Sequence, residues 1–524
     1  MQLIVTAYVI YKIVYQLFLY PYWLSPLRHI PGPPLGTPIV GQFGNIIRGE
    51  AGIPQREWTK QYGPIVRAVG PLGIERLIFT KPEAMQKILV GDWTEYPRPL
   101  WLRNVLGAVT GSGLLTVTGN EHRQMRKAMN PAFGLTNLMA QTDMYYDPIE
   151  SLVKILESKV KAAADQSHGA EIPMYDWVSK VALDIICISA FDYETDSLHN
   201  PHNELAEAYE KMINLQSGHN MAKMIFLMHC IPGFPRLMSS EFFYRMRRVN
   251  DMIPGMKEGT IVAESMHVIK KVSAQMLQDK IADAAVVAAD NTVKRDIMSI
   301  LVRARIAEKG DGYQMSDRAM MDQVLTFLGA GHETTASGLA WTLWLLANNV
   351  PAQEKLRKEC SALIADNPRP DYRSLKDLQY LDCVVQESLR VLPPVPMTWR
   401  EAAKSDYVDG VYVPKGTILY IPIRVINTAK ATWGEDAEEF RPERWLNLPK
   451  DHNSTFSTLS FIAGPHGCIG KTMSIIEMKA VLAIIISKFS FEPAFTGQVP
   501  KPTAAITMKP ADGLPLRVRL AQTN

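Results

Sequence analysis

The stretch that most limits what this chain can fold into is Gln314 to Asn348, the longest apolar helical pattern outside the N-terminus. Ser316 stands at its start as an N-cap, and Asn348-Asn349 close it before Pro351. A helix that long and that apolar has to run through a core, so other elements must surround it. With 524 residues, 47% of them apolar and 21% charged, the chain has material for such a core, and no interior linker rich in Gly, Ser or Pro divides it. One large domain is expected. Periodicity predicts further helices over Ile149 to Ala163, Val178 to Phe191, Leu205 to Leu215 and Asp296 to Glu308. β-Branched runs over Pro64 to Thr80 and Tyr407 to Pro422 predict strands. The expected fold class is mostly α with a minor β-sheet region.

Inside the long stretch lies Ala330-Gly331-His332-Glu333-Thr334-Thr335. Gly and paired Thr are poor helix formers, and an acid in a core is costly. A segment that breaks local rules inside a buried helix marks a functional position. A zinc-protease H-E-x-x-H is excluded, because the residue four after His332 is Ala336.

The second informative stretch is Phe461-Ile462-Ala463-Gly464-Pro465-His466-Gly467-Cys468-Ile469-Gly470, one cysteine on a glycine-rich loop that leads into a helical pattern. Gly464, Gly467 and Gly470 clear side chains from around the sulfur, so that a flat ligand can approach and the turn can take positive φ. The following helix places N–H groups and its dipole near the sulfur, which favours a thiolate and reads Cys468 as an iron ligand. A phosphate-binding loop fails by one residue, since Pro465 stands where its first glycine belongs. Covalent heme attachment and zinc sites need further Cys or His nearby. The remaining alternative is a buried structural cysteine, the commoner fate of a lone one.

The decapeptide resembles the F-x-x-G-x-[RH]-x-C-x-G heme signature of cytochromes P450, with Phe461, Gly464, His466, Cys468 and Gly470 all fitting. Other motifs of that family occur in its order. His122 and Arg126 resemble the W/H-x-x-x-R pair that reaches a heme propionate, and Ala330 to Thr335 resembles the [AG]-G-x-[DE]-T-[TS] motif of the distal helix. Glu387 and Arg390 resemble the E-x-x-R, and Arg444 the arginine that completes its network, all three structural. Arg400 matches a position that contacts a propionate. Together with the N-terminal stretch, these motifs span nearly the whole chain.

The resemblance implies the cytochrome P450 fold and heme b, with Cys468 as axial ligand of the iron. His122, Arg126, Arg400, Phe461, Gly464, His466 and Gly470 would serve as cofactor-binding residues. Glu333 and Thr334 would deliver protons, and Gly331 would let substrate and oxygen approach the backbone. The reaction implied is monooxygenation of a lipophilic small molecule, with O2 and electrons drawn from NADPH through NADPH-cytochrome P450 reductase and with cytochrome b5 as a further possible donor. The overall pattern is most similar to fungal enzymes of secondary metabolism, whose substrates include terpenoids and polyketides. Two other classes stay in view: a P450-fold isomerase or dehydratase that needs no reductase, and a thiolate-heme sensor that needs no proton delivery. Glu333-Thr334 argues against both.

Residues 1–24 are apolar and aromatic with one charge, Lys12, and at about 1.5 Å per residue they are long enough to cross a bilayer. Bulky Tyr20, Tyr22 and Trp23 stand where a signal peptide would need small residues, and they suit an interfacial belt. Prolines 26, 31, 33, 34 and 38 then make residues 25–45 a semi-rigid hinge. The expected organisation is an anchor over 1–24, this hinge, and a heme-thiolate domain over 46–524. By resemblance the anchor lies in the endoplasmic reticulum membrane, single-pass, with the domain facing the cytosol. A net charge of +3 without a long basic run argues against nucleic acid, and five scattered cysteines make no disulfide framework.

Overall fold

The computed structural model describes residues 2–163, 168–200, 202–216, 227, 231, 233–253, 256–287, 296–307, 313–503 and 507–521. The long apolar stretch forms one central helix, Asp317–Ala347, capped as expected: the Ser316 hydroxyl accepts from the Ala319 N–H at 3.1 Å. Its C-terminal half joins the largest apolar cluster through Ala336, Leu339, Ala340 and Leu343, and its N-terminal half joins a second through Val324, Leu325 and Leu328. Each fully buried Leu there contributes on the order of 1.5–3 kcal/mol by leaving water. The helices Met174–Phe191, Gln379–Val391 and Lys471–Lys488 surround it.

Two glycines set how closely these neighbours approach. A Cβ on Gly331 would lie 2.8 Å from Cγ1 of Ile186 on Met174–Phe191, and one on Gly338 would lie 3.1 Å from the Met478 sulfur on Lys471–Lys488. Gly331 therefore serves helix packing, and it is also partly accessible.

The predicted runs supply β1 (Ile65–Val69), β2 (Glu75–Phe79) and β4 (Ile418–Ile421) of a four-stranded sheet, and Thr398–Glu401, outside those runs, supplies β3, in spatial order β1-β2-β4-β3. β4 runs parallel to β2 and antiparallel to β3, so segments far apart in sequence share one sheet. Alternation along β3 then sends Arg400 to one face and Trp399 to the other. A hairpin of Asp406–Val408 and Val411–Val413 fills the connection between β3 and β4 and turns at Asp409-Gly410, both at positive φ. A separate three-stranded sheet pairs Ala170–Pro173 and Phe489–Pro493 with Pro515–Leu520.

Ser374 to Leu392 reads as one helix capped by Ser374 and Asp377, and here the structure differs. It holds two helices, Tyr372–Asp377 and Gln379–Val391, with Leu378 extended between them. Asp371 is the cap, its carboxylate accepting from the Ser374 N–H at 2.8 Å. Asp371 occupies the N-cap position and satisfies a donor of the first turn that Ser374, inside the helix, cannot reach.

At the N-terminus, Leu3–Leu24 is a helix long and apolar enough to cross a membrane, and its apolar window is unburied. Its end is fixed to the sheet. Arg67 Nη2 donates to the Pro21 carbonyl at 2.6 Å, and the Ser25 hydroxyl donates to Glu75 at 2.7 Å. Residues 25–45 lie along β1, with the Arg67 N–H on the Pro31 carbonyl at 3.0 Å and the Gln42 N–H on Val69 at 2.7 Å.

Candidate active site

The cysteine loop is closed by its own backbone. The Cys468 N–H donates to the Phe461 carbonyl at 2.8 Å and the Gly467 N–H to Gly464 at 2.9 Å, after which Lys471–Lys488 begins with Gly470 at its N-cap. Positive φ falls on Gly464 at 72° and on Ile462 at 56°, whereas Gly470 has φ −86°. The turn thus takes positive φ as expected, at one of its three glycines and at an isoleucine. Gly464 is needed for a second reason, because a Cβ there would sit 2.0 Å from the Leu89 carbonyl oxygen. A Cβ on Gly470 would meet nothing within 4 Å, so the loop is open on that side.

Cys468 is exposed, yet protein surrounds it densely enough that desolvation pushes its thiol pKa up. A side chain both accessible and desolvated faces an internal cleft. The Gly470 N–H, Arg126 and Lys471 oppose that upward shift by favouring the thiolate.

Above the loop stands a group of cations. Arg98 Nη1 lies 3.1 Å from His466 Nδ1, Arg126 donates to the Gly467 carbonyl, and Arg400 Nη1 donates to the Trp399 carbonyl at 2.7 Å. The His122 and His466 rings are 4.1 Å apart, with Trp93 edge-on to His466. None of the three arginines forms an ion pair among the described residues. Burial, then Arg126, lowers Arg98 to about 10, and burial with Arg98 drives Arg400 well down. Burial and the three arginines together lower His122 to about 4 and push His466 further below its ordinary value. Guanidiniums that repel one another, with no carboxylate in reach among the described residues, form a site for an anionic ligand. The two propionates of heme meet that demand, and the accessible Cys468 sulfur meets the iron's.

The structure thus brings His122, Arg126, Arg400, His466 and Cys468 together around one cleft. Phe461 accepts the Cys468 N–H and packs against the central apolar cluster, so it holds the loop from behind. Arg98 was not among the sequence candidates. It belongs to no motif, and the one signal it carries is its setting in Pro97-Arg98-Pro99, a rigid extended segment that fixes where the side chain goes.

On the central helix, Gly329, Ala330, Glu333 and Thr334 are partly accessible although the helix on both sides of them is buried. The Thr334 hydroxyl donates to the Ala330 carbonyl at 2.7 Å. Glu333 accepts from the Thr507 hydroxyl at 2.8 Å and interacts electrostatically with buried Lys509, whose pKa burial lowers to about 8 while Glu333 and Asp176 hold it up. The helix Leu100–Thr110 covers this part, with Val109 and Thr110 nearest Gly329. Hydrogen bonds from the Leu114 N–H to Gln323 Oε1 and from the Thr326 hydroxyl to the Thr110 carbonyl secure it.

Behind the loop, Glu387 and Arg390 are fully buried. Arg390 makes a bidentate pair with Glu387 at 2.7 and 2.8 Å and donates to the carbonyls of Asn427 and Ala437. Arg444 and the Trp445 indole complete the Glu387 shell at 3.3 and 3.0 Å. This holds the segment preceding the cysteine loop in place, as a structural reading of the three residues requires.

A cytochrome P450 family profile matches residues 31–514. Among similar proteins, cytochrome P450 monooxygenase 205 of Postia placenta is 34% identical over 90% of this chain and 87% of its own length. Cytochrome P450 monooxygenase sphH of Aspergillus fumigatus is 30% identical over 98% and 91%, and ganoderic acid synthetase CYP5150L8 of Ganoderma lucidum is 30% identical over 90% and 91%. An accessible thiolate-ready cysteine, a cluster of unmatched cations and this breadth of similarity lead to one conclusion: the chain belongs to the cytochrome P450 family of heme-thiolate monooxygenases.

Proposed function

We propose that this P450 is a membrane-anchored enzyme of fungal secondary metabolism that oxidises a lipophilic small molecule, such as a terpenoid or polyketide intermediate, with electrons from an NADPH-dependent reductase. The observation that supports the reading most is the exposed Cys468 on its glycine loop with unmatched cations grouped around it, and Thr334 on the central helix is partly accessible as well. Heme bound there supplies activation of O2 at iron. Cys468 is its ligand, and Gly470 and Lys471 favour the charged sulfur. Arg98, Arg126, Arg400, His122 and His466 hold the propionates.

Thr334 and Glu333 handle protons. The Thr334 hydroxyl, now on the Ala330 carbonyl, can turn toward the cleft and donate there. Glu333 has Thr507 and Lys509 on its far side, and Asp176 beside Lys509 is exposed, so exchangeable protons lead from solvent to the central helix. The cover helix Leu100–Thr110 and the segment Val395 to Met397 give the substrate apolar walls. By resemblance to the family, residues 221–238 would form a substrate entry path and Ala505-Ile506 part of the pocket wall; of these, Met221, Met224, Ile225, Phe226, Met228, Ala505 and Ile506 lie outside the described residues. Leu227, Ile231 and Leu237 are exposed apolar side chains, as is Phe242 beyond them, which supports contact with lipid. The helix Leu3–Leu24 is the anchor, residues 25–45 connect it to the domain over 46–524, and the domain faces the cytosol from the endoplasmic reticulum, where reductase and cytochrome b5 can reach it.

The test is the reduced holoprotein with CO. The red-shifted Soret band of thiolate-bound heme is expected in wild type and lost in Cys468→Ala, and a normal band in the variant would overturn the ligand assignment. With reductase, NADPH and a panel of lipophilic metabolites, oxidised product is expected. In Thr334→Ala the electrons should go to peroxide or water while heme and substrate binding persist. Tightly coupled product formation in that variant would remove Thr334 from proton delivery. Product formation without NADPH consumption would favour the isomerase class, and no turnover with any substrate the sensor class.

A further inference from the structure

The two arginines of the first hairpin are treated differently by the fold. Arg67 on β1 is buried and paired, its guanidinium 2.5 Å from Glu75 on β2. Arg76 follows Glu75 directly, so strand alternation sends it to the opposite face of the sheet. It is 5% exposed, forms no ion pair among the described residues, and its Nε has no hydrogen-bond partner there. Its place is prepared by a neighbour without a side chain, since a Cβ on Gly70 would lie 2.6 Å from Arg76 Nε.

Other polar groups share that face, and Tyr420, whose hydroxyl donates to Met397 Sδ at 2.6 Å, is the best satisfied of them. Tyr420 on β4 is opposite Ile78, two residues along β2, and burial raises its pKa while Arg76 lowers it, which puts the two side chains within electrostatic reach. Gln55 Nε2 donates to the Tyr420 hydroxyl at 3.1 Å, leaving Gln55 Oε1 without a partner. Trp399 pairs with Tyr420 across β3 and β4 and stacks edge-on to it at 5.3 Å, and its buried Nε1–H makes no well-formed hydrogen bond among the described residues, having only the Tyr420 hydroxyl nearby. The far edge of Trp399 meets Trp101 of the cover helix at 5.3 Å, so this nest adjoins the wall of the cleft. A buried guanidinium without a counter-charge among the described residues, beside an indole N–H that is poorly satisfied and set among apolar and aromatic side chains, calls for an anionic oxygen that arrives with a lipophilic body.

We propose that Arg76, supported by Trp399, Tyr420 and Gln55, is a carboxylate-binding subsite that holds the acid end of a lipophilic substrate. This deepens the function proposed above and rests on it. The planar fork of the guanidinium suits a carboxylate side-on, and the surrounding Met397, Ile78, Val66 and Trp341 suit the hydrocarbon that follows. The preferred substrates are therefore organic acids, not their esters or alcohols.

Binding of dodecanoate, methyl dodecanoate and dodecanol to the wild-type holoprotein, read by the Soret shift and by tryptophan fluorescence, tests this. Dodecanoate should bind about 10-fold or more tightly than the other two, as expected for a charge-assisted hydrogen bond. In Arg76→Gln that preference should disappear while dodecanol binding and the CO spectrum stay as they were, and Arg76→Lys should restore part of it. Equal binding of acid, ester and alcohol by wild type would overturn the proposal without any variant. So would an unchanged acid preference in Arg76→Gln, or tighter binding of dodecyl phosphate than of dodecanoate. Loss of the CO band in wild type would instead overturn the heme-thiolate reading beneath it.

Discussion

Glu387, Arg390 and Arg444 form a buried ionic group in which each charge has its partner, whereas Arg98, Arg126 and Arg400 form a buried or half-buried group with no acid paired to it among the described residues. Both clusters flank the same cysteine loop. In the first, the carboxylate accepts from two guanidiniums, an indole and the Arg441 N–H, so the protein alone completes it. In the second, the nearest partners are a histidine nitrogen and backbone carbonyls, which answer geometry but not charge. The difference separates a group that organises the fold from one that waits for a ligand. Burial of charge alone does not distinguish them; the presence or absence of a counter-charge does.

The largest effect should come from breaking the matched cluster. Glu387→Gln leaves the fully buried Arg390 facing a neutral amide, and losing one partner of a buried pair costs about 3–5 kcal/mol. Denaturant unfolding should show that loss whether or not heme is bound. A cost below about 1 kcal/mol would place this cluster with ordinary surface pairs.

Next comes the unmatched cluster, where the sign should depend on the ligand. Arg126→Met or Arg400→Met removes a repelled charge, so the heme-free protein should unfold at higher denaturant. The same variants should retain heme less well, by about 10-fold or more per arginine for a charged hydrogen bond. Opposite signs in the two forms are the distinguishing result. A loss of stability in both would make these arginines structural and erase the contrast.

Acid should sharpen the same contrast by a smaller amount. His122 titrates near 4 in the fold and near 6.5 when unfolded, so between those values the unfolded chain binds more protons. Stability of the heme-free protein should therefore rise with pH through that window and fall on acidification from 6.5 toward 4, by about 2–3 kcal/mol. His466, shifted in the same direction, adds to it. Propionates beside the two rings would favour their protonated forms, so the heme-bound protein should show a flatter profile. His122→Phe should flatten the heme-free profile as well, and an unchanged slope in that variant would exclude His122 as its source.

How much of this was legible in the sequence follows from how local each feature is. The cysteine loop and the central helix carry their signals within a few residues, and Ser316, Cys468 and Phe461 take the places that local rules predict. Arg98 could not be found that way, because what makes it part of the site is convergence with residues of the basic helix, of β3 and of the loop. The packing role of Gly331 was hidden for a related reason: its motif is visible, but the atom its missing Cβ makes room for belongs to Ile186, well over a hundred positions earlier in the chain. Asp371 took the cap from Ser374 because both residue types suit an N-cap, and only the backbone decides between them. Arg76 reads in sequence as one polar residue of a strand, and only the sheet shows that Glu75 beside it is already committed to Arg67.

The smallest effect expected concerns a third kind of cation, unmatched but exposed. Lys127, on the helix Gly119–Met129 that carries Arg126, is exposed, and Lys471 follows the cysteine loop with its ammonium 5.7 Å from the Phe461 ring. Water answers these charges at little cost, so they add almost nothing to stability and are free to meet an acidic partner. If a reductase docks on the cysteine-loop face through opposite charge, Lys127→Glu should slow electron transfer by reducing encounters. The slowing should be a few-fold at low salt and should vanish as ionic strength rises toward about 1 M, where screening reaches about 3 Å. Heme content and denaturant midpoint should not change, which separates this class from both buried clusters. A reduction rate equal to wild type at every ionic strength would return Lys127 to a merely solvated face and move the docking surface elsewhere. A slowing that persisted at high salt would instead point to a contact made after docking, in which Lys127 is buried against the partner as Arg390 is buried against Glu387.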